Sequence, residues 1–342
     1  MSSPELQQVI SQYSLKMFKV QSLSEKGKKS VWRLQTDRGR LILKKLPGTV
    51  QRAHFLAGAL EHLLKAGVNV PAPVRTQSGG SLAVVQDTAY LLIQELSGRM
   101  PSYSNPSDLT AIMQGLADFH RGAVGFQPPV GSSVRAHLGK WERGYTKGIE
   151  RLISYRLEAQ SSRKNSFETM VSAETEPFIQ VAEDCLSQLQ REQAYRDWVD
   201  SCREVGCLCH QDYAKGNLLL DRNGSIHVFD LDSVTMDLPA RDLRKITNKV
   251  MKVNPNGWDA GQLSAMLRAY QQVNPLRPEQ WDVVFVDLRF PHLLIGLIDK
   301  YYRRRDPDWK PRQFLARLKR LIEVERSKEN VIREVERTWR KI

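Results

Sequence analysis

The first hundred residues alternate between short apolar runs and turn signals. Ser30 to Leu34 and Leu41 to Lys44 are β-like runs. The stretch Asp37-Arg38-Gly39-Arg40 between them is typical of a turn, so the two runs predict a β-hairpin. Ser81 to Val85 and Ala89 to Glu95 predict two further strands, the second of them buried. This pattern indicates a small antiparallel sheet.

One helix interrupts this run of strands. Over Gln51 to Lys65 the apolar residues recur at helical spacing, and Gly67 is typical of the residue that ends such a helix. The breaks at Gly98, Pro101 and Pro106 then separate the sheet-forming part from the rest of the chain. The sequence therefore predicts a first domain, residues 1–97, built from a sheet and one helix.

The pattern changes to mostly helical after about residue 107. Ser107 and Asp108 can cap a helix that runs to His120, polar helices come next over 138–200, and helices resume at about 240. We expect a second, mainly helical domain over residues 98–342. The predicted fold class is α+β, with a small antiparallel sheet lobe and a larger helical lobe.

Three short strands are predicted inside the helical part. They cover Val205 to Leu208, Leu218 to Leu220 and Ser225 to Phe229. Asp221-Arg222-Asn223-Gly224 is a typical hairpin turn between the last two.

Charge and hydropathy narrow the class of protein. The chain has 342 residues with 51 Lys and Arg against 38 Asp and Glu, a net charge of +13. Residues 300–342 hold 15 basic and 7 acidic residues, a net +8. This bias leaves binding of nucleic acid or an anionic surface as one alternative, but no stacking motif or zinc-finger spacing accompanies it. No run of about 18 uncharged apolar residues and no signal-peptide pattern occur, so we expect synthesis in the cytoplasm without a membrane span.

The strongest motif is His210-Gln211-Asp212-Tyr213-Ala214-Lys215-Gly216-Asn217. It has the form H-x-D-x-x-x-x-N, the catalytic-loop pattern of protein kinases and related small-molecule kinases. In this chemistry the aspartate, here Asp212, accepts or orients the proton of the hydroxyl group that attacks the γ-phosphorus. The asparagine, here Asn217, reaches a magnesium ion on the nucleotide.

A second acidic motif lies thirteen residues after Asn217. The apolar strand that ends at Phe229 is followed by Asp230-Leu231-Asp232. Its position matches the magnesium-binding aspartate of the kinase D-F-G motif, although the tripeptide differs. Asp230 is the predicted magnesium ligand because Mg²⁺ prefers hard oxygen ligands. Asp232 is either a second ligand or a substrate contact.

A basic residue in the predicted sheet completes the constellation. Leu41-Ile42-Leu43-Lys44 matches the V-A-I-K strand, whose lysine neutralises phosphate oxygens. In kinases this lysine pairs with a glutamate on the next helix, and Glu61 is the glutamate on the predicted helix. The phosphate-covering loop is predicted over Ser24 to Ser30. No G-x-G-x-x-G motif is present.

With these motifs, the chain resembles the aminoglycoside phosphotransferase and choline-kinase group, whose members have protein-kinase-like folds. The chain resembles the bacterial spore-coat CotS family more closely still, over roughly residues 10 to 325. The resemblance depends on the kinase-core motifs above and on Tyr90 to Gly98, Pro239 to Leu243, Phe290-Pro291-His292 and Lys300-Tyr301-Tyr302.

The resemblance implies roles for residues that the motifs alone do not assign. It implies a bilobal fold with ATP between the lobes, and a hinge at Gln94, Glu95 and Leu96 whose backbone pairs with adenine. His210 and Asp242 would support the catalytic loop rather than touch substrate. Residues 126–200 would form part of the acceptor pocket.

The leading hypothesis is therefore an ATP- and Mg²⁺-dependent phosphotransferase. It would transfer the γ-phosphoryl group to a hydroxyl of a small polar, sugar-like acceptor. The alternative is a non-catalytic spore-coat structural protein that retains the kinase fold and nucleotide binding. By resemblance, partners would be ATP, the hydroxylated acceptor and other spore-coat proteins, and the location would be the spore coat.

Overall fold

The computed structural model describes residues 4–26, 29–161, 165–305 and 308–339. The chain divides into two compact units. The first contains residues 1–136, 204–239 and 272–274, and the second contains residues 137–203, 240–271 and 275–342. The predicted lobe boundary after residue 97 stays a prediction.

The first unit contains the sheets. In the part of the chain that the structure describes, its elements are α1 (Pro4–Ile10), β1 (Met17–Lys26), β2 (Lys29–Thr36), β3 (Gly39–Lys45), α2 (Val50–Lys65), β4 (Leu82–Val85), β5 (Thr88–Gln94), α3 (Pro106–Gly122), β6 (Leu218–Leu220) and β7 (Ile226–Val228). Strands β1 to β5 form an antiparallel sheet in the order β1-β2-β3-β5-β4, and β6 pairs with β7.

Alternation along β3 separates the two faces of the larger sheet. Leu41 and Leu43 are buried in a cluster with Leu6 and Val9 of α1. Ile42 and Lys44 point to the opposite face, where they line a pocket. The period of two in a strand imposes this separation. The same strand therefore anchors the core with one set of side chains and presents a lysine to a pocket with the other.

The β2–β3 hairpin has the predicted register. Thr36 pairs with Gly39, and Asp37 and Arg38 form the turn. Gly39 has a φ of +93°, a conformation that a residue with a Cβ adopts only under strain. The predictions of the β2–β3 hairpin, the helix α2 and the strands β4 and β5 are confirmed. Each predicted end lies within two residues of the observed end.

The second unit is helical in its described residues. Its elements are α4 (Trp141–Ser161), α5 (Ser166–Glu174), α6 (Glu176–Arg191), α7 (Gln193–Val205, of which the last two residues belong to the first unit), α8 (Ala240–Met251), α9 (Ala260–Gln271), α10 (Pro278–Arg289), α11 (His292–Tyr302) and α12 (Pro311–Trp339). α12 buries Leu318, Ile322 and Val335, whereas Arg317 and Arg326 on it are exposed. The basic C-terminal stretch is thus a packed helix with an exposed basic face.

Four local features differ from the sequence prediction. The strand β1 was not predicted, and the residue that caps α3 is Asn105, not Ser107 or Asp108. Val205 to Leu208 is not a strand, because α7 continues to Val205 and only Cys209 forms an isolated bridge, to Thr235. An apolar run of four residues does not distinguish a strand from the end of a helix and its exit. The helix α1 was not predicted at all. Two buried residues, Leu6 and Val9, attach this seven-residue helix to the sheet, and so short a helix has little periodicity to detect.

Candidate active site

Lys44 at the end of β3 lies between two carboxylates of the segment that comes after β7. Its Nζ donates to Asp230 Oδ1 at 2.6 Å and to Asp232 Oδ1 at 2.9 Å. The Lys44 side chain is 14% exposed and that of Asp232 is 8% exposed, while Asp230 retains 36%. The structure thus brings together residues that are 186 to 188 positions apart in sequence.

Burial and charge oppose each other at this cluster. Loss of hydration lowers the pKa of the Lys44 ammonium, but attraction by Asp232 and Asp230 outweighs it and the pKa lies above its ordinary value. Burial likewise raises the pKa of Asp232, but Lys44 and Lys29 lower it below the ordinary value. Lys44 and Asp232 are therefore both charged near neutral pH. The phosphates of a ligand could replace the carboxylates as partners of Lys44, and a metal ion could replace the lysine as the partner of the carboxylates.

The residues of this cluster line a pocket of about 700 Å³ in the first unit. Apolar side chains of Val31, Ile42, Ile93, Leu96 and Leu219 line it as well, together with the charged Arg33, Lys45 and Glu95. A cavity with apolar side chains beside a cluster of charged groups fits a ligand with a flat apolar ring and a charged tail. The volume is within the range of about 300–1,000 Å³ usual for small-molecule sites.

The predicted hinge forms part of the wall of this pocket. Gln94, Glu95 and Leu96 line it, at the end of β5 and directly after it. The amide of Gln94 donates to the Ala72 carbonyl at 3.0 Å, and that of Glu95 donates to the Arg40 carbonyl at 3.3 Å. Among the described residues, the Leu96 amide makes no hydrogen bond. Of the three residues predicted for the hinge, Leu96 is therefore the one whose amide could donate to a ligand.

The catalytic-loop motif forms a local hydrogen-bond network. Asn217 Nδ2 donates to the Asp212 carbonyl at 2.9 Å and to Asp212 Oδ2 at 3.1 Å. The Asp212 amide donates to Nδ1 of the buried His210 at 3.2 Å. This bond assigns the proton to Nε2 of His210, which donates to the Phe229 carbonyl at 3.1 Å. His210 thus links the loop of Asp212 to the segment that carries Asp230.

Two residues in the candidate loops have unusual backbone conformations. Gln211, which precedes Asp212, has a φ of 68°, and Asp230 itself has a φ of 61°. Residues other than glycine avoid this left-handed region at a cost of about 1–3 kcal/mol where the surroundings hold them there. The side chains of both residues make hydrogen bonds, since Gln211 Nε2 donates to Asp237 at 3.2 Å and Asp230 accepts from Lys44. Strain at both loops indicates that side-chain placement there matters more than local stability.

The predicted partner of Lys44 is wrong for this structure. Glu61 on α2 accepts hydrogen bonds from Arg75 Nη1 at 2.6 Å and from the Ser81 hydroxyl. Lys44 instead contacts Asp230 and Asp232. The sequence showed that a glutamate occurs on α2, but the rotation of the helix decides which way that side chain points. Two carboxylates closer to Lys44 also compete for the same ammonium.

Two basic residues near Asp232 were missed. Lys29 Nζ lies 2.9 Å from Asp232 Oδ2. On α2, Arg52 donates to the Val234 carbonyl at 2.6 Å, and burial lowers the pKa of its guanidinium to about 10. Lys29 could have been proposed from the sequence because it belongs to the predicted phosphate-covering loop. Nothing in the local pattern distinguished Arg52 from other arginines. Both residues increase the positive charge near Asp232.

The remaining predicted residues lie in three places. Ser24 to Ser30 includes Gly27 and Lys28, which lie outside the described residues, while Ser24 and Lys29 line the pocket. Asp242 is fully buried in the first turn of α8. Its supporting role toward the catalytic loop stays a prediction, as does the contribution of residues 126–200 to an acceptor pocket.

The oxygen atoms of Asp230, Asp232 and Asn217 are of the kind that Mg²⁺ prefers as ligands. Asp230 and Asp232 supply carboxylate oxygens. Because Asn217 uses its Nδ2 on Asp212, its Oδ1 is left as a neutral oxygen ligand. The Phe229 amide donates to the Asn217 carbonyl at 3.1 Å, which holds the two segments side by side. Hard oxygen ligands of this kind suit Mg²⁺ together with phosphate oxygens.

Two solved structures show the fold class of this chain. An aminoglycoside phosphotransferase from Alicyclobacillus acidocaldarius is similar over 100% of this chain and 98% of that one, with a TM-score of 0.83 and 17% identity. A spectinomycin phosphotransferase in complex with ADP and spectinomycin is similar over 100% of this chain and 99% of that one, with a TM-score of 0.63 and 13% identity. The chain therefore has the protein-kinase-like fold of small-molecule phosphotransferases, with a small antiparallel sheet and a larger helical part.

Sequence comparison identifies the family within this class. The profile described as "Spore coat putative kinase YutH" matches residues 8–335, so the chain belongs to this spore-coat family. Spore coat protein S of Bacillus subtilis (strain 168) is 28% identical over 335 residues, which cover 98% of this chain and 95% of that protein. The predicted fold class and family resemblance are confirmed.

None of the helices in the described part of the chain combines the length and the apolar character needed to span a membrane.

Proposed function

We propose that this chain is an ATP- and Mg²⁺-dependent phosphotransferase that acts on a hydroxyl group of a small polar acceptor. The observation that carries the proposal is that the contacting residues Lys44, Asp230 and Asp232 line one pocket together with apolar side chains and with Leu96 of the predicted hinge. ATP has the matching shape, with a flat ring at one end and a triphosphate at the other.

In this proposal the nucleotide is bound by residues with separate roles. The apolar side chains of the pocket contact the adenine ring, and the Leu96 amide donates to it. Lys44 exchanges its carboxylate partners for phosphate oxygens, assisted by Lys29. Asp230, Asp232 and the Asn217 amide oxygen are the ligands that would hold Mg²⁺. The ion would supply charge neutralisation on the phosphate oxygens.

Asp212 is the proposed acceptor-side group. Its side chain is exposed, and the hydrogen bond from Asn217 to Oδ2 fixes the direction of the carboxylate. Asp212 would take the hydroxyl proton as the acceptor oxygen bonds to the γ-phosphorus. The bond from that phosphorus to the bridging oxygen breaks, and ADP leaves. Positioning and charge stabilisation supply most of the rate in such reactions.

A sugar or sugar-like alcohol is the proposed acceptor. Polycationic aminoglycosides require acidic acceptor surroundings, whereas this chain carries a net charge of +13. The comparison with aminoglycoside phosphotransferases supports the fold and leaves the acceptor to be found by experiment.

A screen for ADP formation tests the proposal. The full chain is incubated with Mg²⁺ and ATP against sugars, amino alcohols and aminoglycosides, beside an Asp212→Asn control at equal concentration. We expect acceptor-dependent ADP formation that the control lacks. If no acceptor raises ADP formation above the control while Mg·ATP still raises the melting temperature, nucleotide binding stands and the transferase activity is refuted.

A structural role in the spore coat is the second candidate. The observation that favours it is that Glu61 contacts Arg75 and Ser81, whereas the kinase motif predicts a pair between Glu61 and Lys44. Membership of a spore-coat family supports assembly with other coat proteins and a location in the coat. The two candidates share nucleotide binding and differ in turnover, so the same screen separates them.

A further inference from the structure

The second unit contains a pocket of its own, with a volume of about 240 Å³. Helices α4, α8 and α11, with the link between α10 and α11, form its walls. Three arginines and three aromatic residues line it: Arg151, Arg241, Arg244, Trp141, Tyr145 and Phe290. With liquid water at about 30 Å³ per molecule, the volume corresponds to about eight waters. This is room for a compact organic ligand.

Glycines keep this pocket open. Gly144 and Gly148 of α4 and Gly296 of α11 all line it. A Cβ at Gly144 or Gly296 would meet no atom within 4 Å, and one at Gly148 would meet Phe290 at an ordinary 3.5 Å. Packing therefore does not require glycine at these positions, although glycine destabilises a helix relative to alanine. Their shared effect is that no longer side chain occupies the space between α4 and α11.

The carboxylates around the pocket are already engaged by arginines. Asp299, which lines it, lies 2.9 Å from Arg303, 2.9 Å from Arg305 and 3.7 Å from Arg151. The buried Asp287 behind the wall accepts from Arg244 at 2.9 Å. Arg303 and Arg305 do not line the pocket, but its lining contains three arginines, Arg151, Arg241 and Arg244, against one carboxylate, Asp299, with Asp287 behind. The surroundings of the pocket therefore carry a net positive charge.

The wall that carries Arg244 is rigid. Asp287 also accepts from the Tyr145 hydroxyl at 2.6 Å and from His292 Nε2 at 2.8 Å. Tyr145 in turn stacks on Phe290 with 3.9 Å between ring centroids. Burial lowers the pKa of His292 to about 3, so this imidazole is neutral and donates to the carboxylate. These side chains thus hold one another, and a ligand would meet a preformed surface.

We infer that this pocket binds a small organic anion with a flat or apolar part. A carboxylate or phosphate would pair with Arg151 and Arg241, and the apolar part would lie against Trp141, Tyr145 and Phe290. Arginine guanidinium groups suit both kinds of anion because they donate two parallel hydrogen bonds. This inference does not depend on the proposed function, because every residue in it belongs to the second unit.

Calorimetric titration of the full chain with phenyl phosphate tests the inference. Benzoate serves as the carboxylate probe, and phenol is the uncharged control. We expect both anions to bind and phenol not to bind, since the charge supplies most of the affinity. If phenol binds as tightly as the anions, the pocket is an apolar groove and the anion site is refuted. Whichever anion binds more tightly identifies the group that the site is built for.

Matched variants locate the binding. Arg241→Gln and Arg151→Gln each remove one lining charge, and each should weaken phenyl phosphate binding at least tenfold. Arg143→Gln removes an exposed charge from the same helix as Arg151 and should change the affinity less than twofold. Unchanged affinity in both lining variants, with melting temperatures preserved, overturns the proposal.

A steric pair gives a second, charge-neutral test. Gly296→Leu fills the pocket and should weaken binding at least tenfold. Gly296→Ala adds only a Cβ, which meets nothing within 4 Å, and should leave binding within twofold of the parent. Because alanine favours a helix over glycine, the alanine variant also controls for folding. Equal affinities in the two variants would place the anion outside this pocket.

Discussion

The two pockets of this chain use the same residue types in opposite ways. In the first unit, Asp230 and Asp232 both contact Lys44, Asp232 also contacts Lys29, and the two aspartates line the cavity themselves. In the second unit, Asp287 and Asp299 are each engaged by arginines. The first pocket therefore has carboxylates available to a metal ion, while the second offers mainly positive charge to a ligand.

The two pockets differ in how firmly the hydrogen-bond donors around their carboxylates are held. A lysine ammonium on a flexible stem can leave its carboxylate partner for a phosphate, so the Lys44 cluster is exchangeable. The Asp287 carboxylate accepts from three donors in fixed directions, Arg244, Tyr145 and His292, and both of its oxygens are used. We therefore expect Mg²⁺ to affect ligand binding in the first unit and not in the second. Substitutions in either pocket test this comparison.

The largest effect is expected for Asp212→Asn. The variant keeps the shape of the loop but cannot accept the acceptor proton, so turnover should fall by about 10²- to 10⁴-fold. Nucleotide affinity should stay nearly unchanged, because Asp212 faces the acceptor. Single-turnover assays and nucleotide titration measure the two quantities separately. A loss of ATP affinity as large as that in Asp230→Asn would show that the roles of the two carboxylates are assigned wrongly.

Asp230→Asn should weaken metal-dependent nucleotide binding about tenfold to hundredfold, the effect of one charged ligand. The weakening should be seen with Mg·ATP and should be much smaller for ATP with EDTA. Titration with a fluorescent ATP analogue under both conditions measures it. The same substitution should leave phenyl phosphate binding in the second unit unchanged, which sharpens the contrast between the two pockets.

The next effect concerns pH and the second unit. The pKa of His292 is lowered to about 3 in the folded protein, whereas an ordinary histidine has a pKa of about 6.5. Below about pH 6.5 the unfolded chain therefore binds more protons at this residue than the folded chain. Stability should therefore fall as the pH falls, by at most about 1.4 kcal/mol per pH unit from this residue. Urea unfolding between about pH 7 and pH 5 should show a shallower slope for His292→Gln. Asp287, with a lowered pKa, contributes no slope in that range because both states keep it ionised. Equal slopes in parent and variant would mean that His292 titrates normally in the folded protein.

The smallest effect is expected for Glu61→Gln. Because Glu61 contacts Arg75 and Ser81 and not Lys44, nucleotide affinity should change less than about twofold. Stability should fall by less than about 1 kcal/mol, as is usual for exposed ion pairs. Arg75→Gln is the matched control and should behave alike. A tenfold loss of affinity in Glu61→Gln alone would mean that Lys44 and Glu61 pair once nucleotide is bound.

Local sequence patterns were enough to predict the fold class and the order of the chemical groups along the chain. The H-x-D-x-x-x-x-N spacing, the strand before Asp230 and the strand that ends at Lys44 are local patterns, and the structure brings Lys44 and Asp230 into contact. Periodicity placed α2 and the strands β3 to β5 because these elements have regularly spaced buried residues. Local patterns carry this information because strand and helix geometry repeat over a few residues.

Which side chains contact one another could not be predicted from local patterns. The tertiary structure paired Lys44 with Asp232 instead of Glu61, brought Lys29 to Asp232, and assembled the pocket of the second unit from three helices. Arg151 and Arg244 lie 93 positions apart in sequence, and no spacing rule connects them. Such contacts depend on the rotation and packing of whole elements, which long-range burial settles and local patterns do not contain.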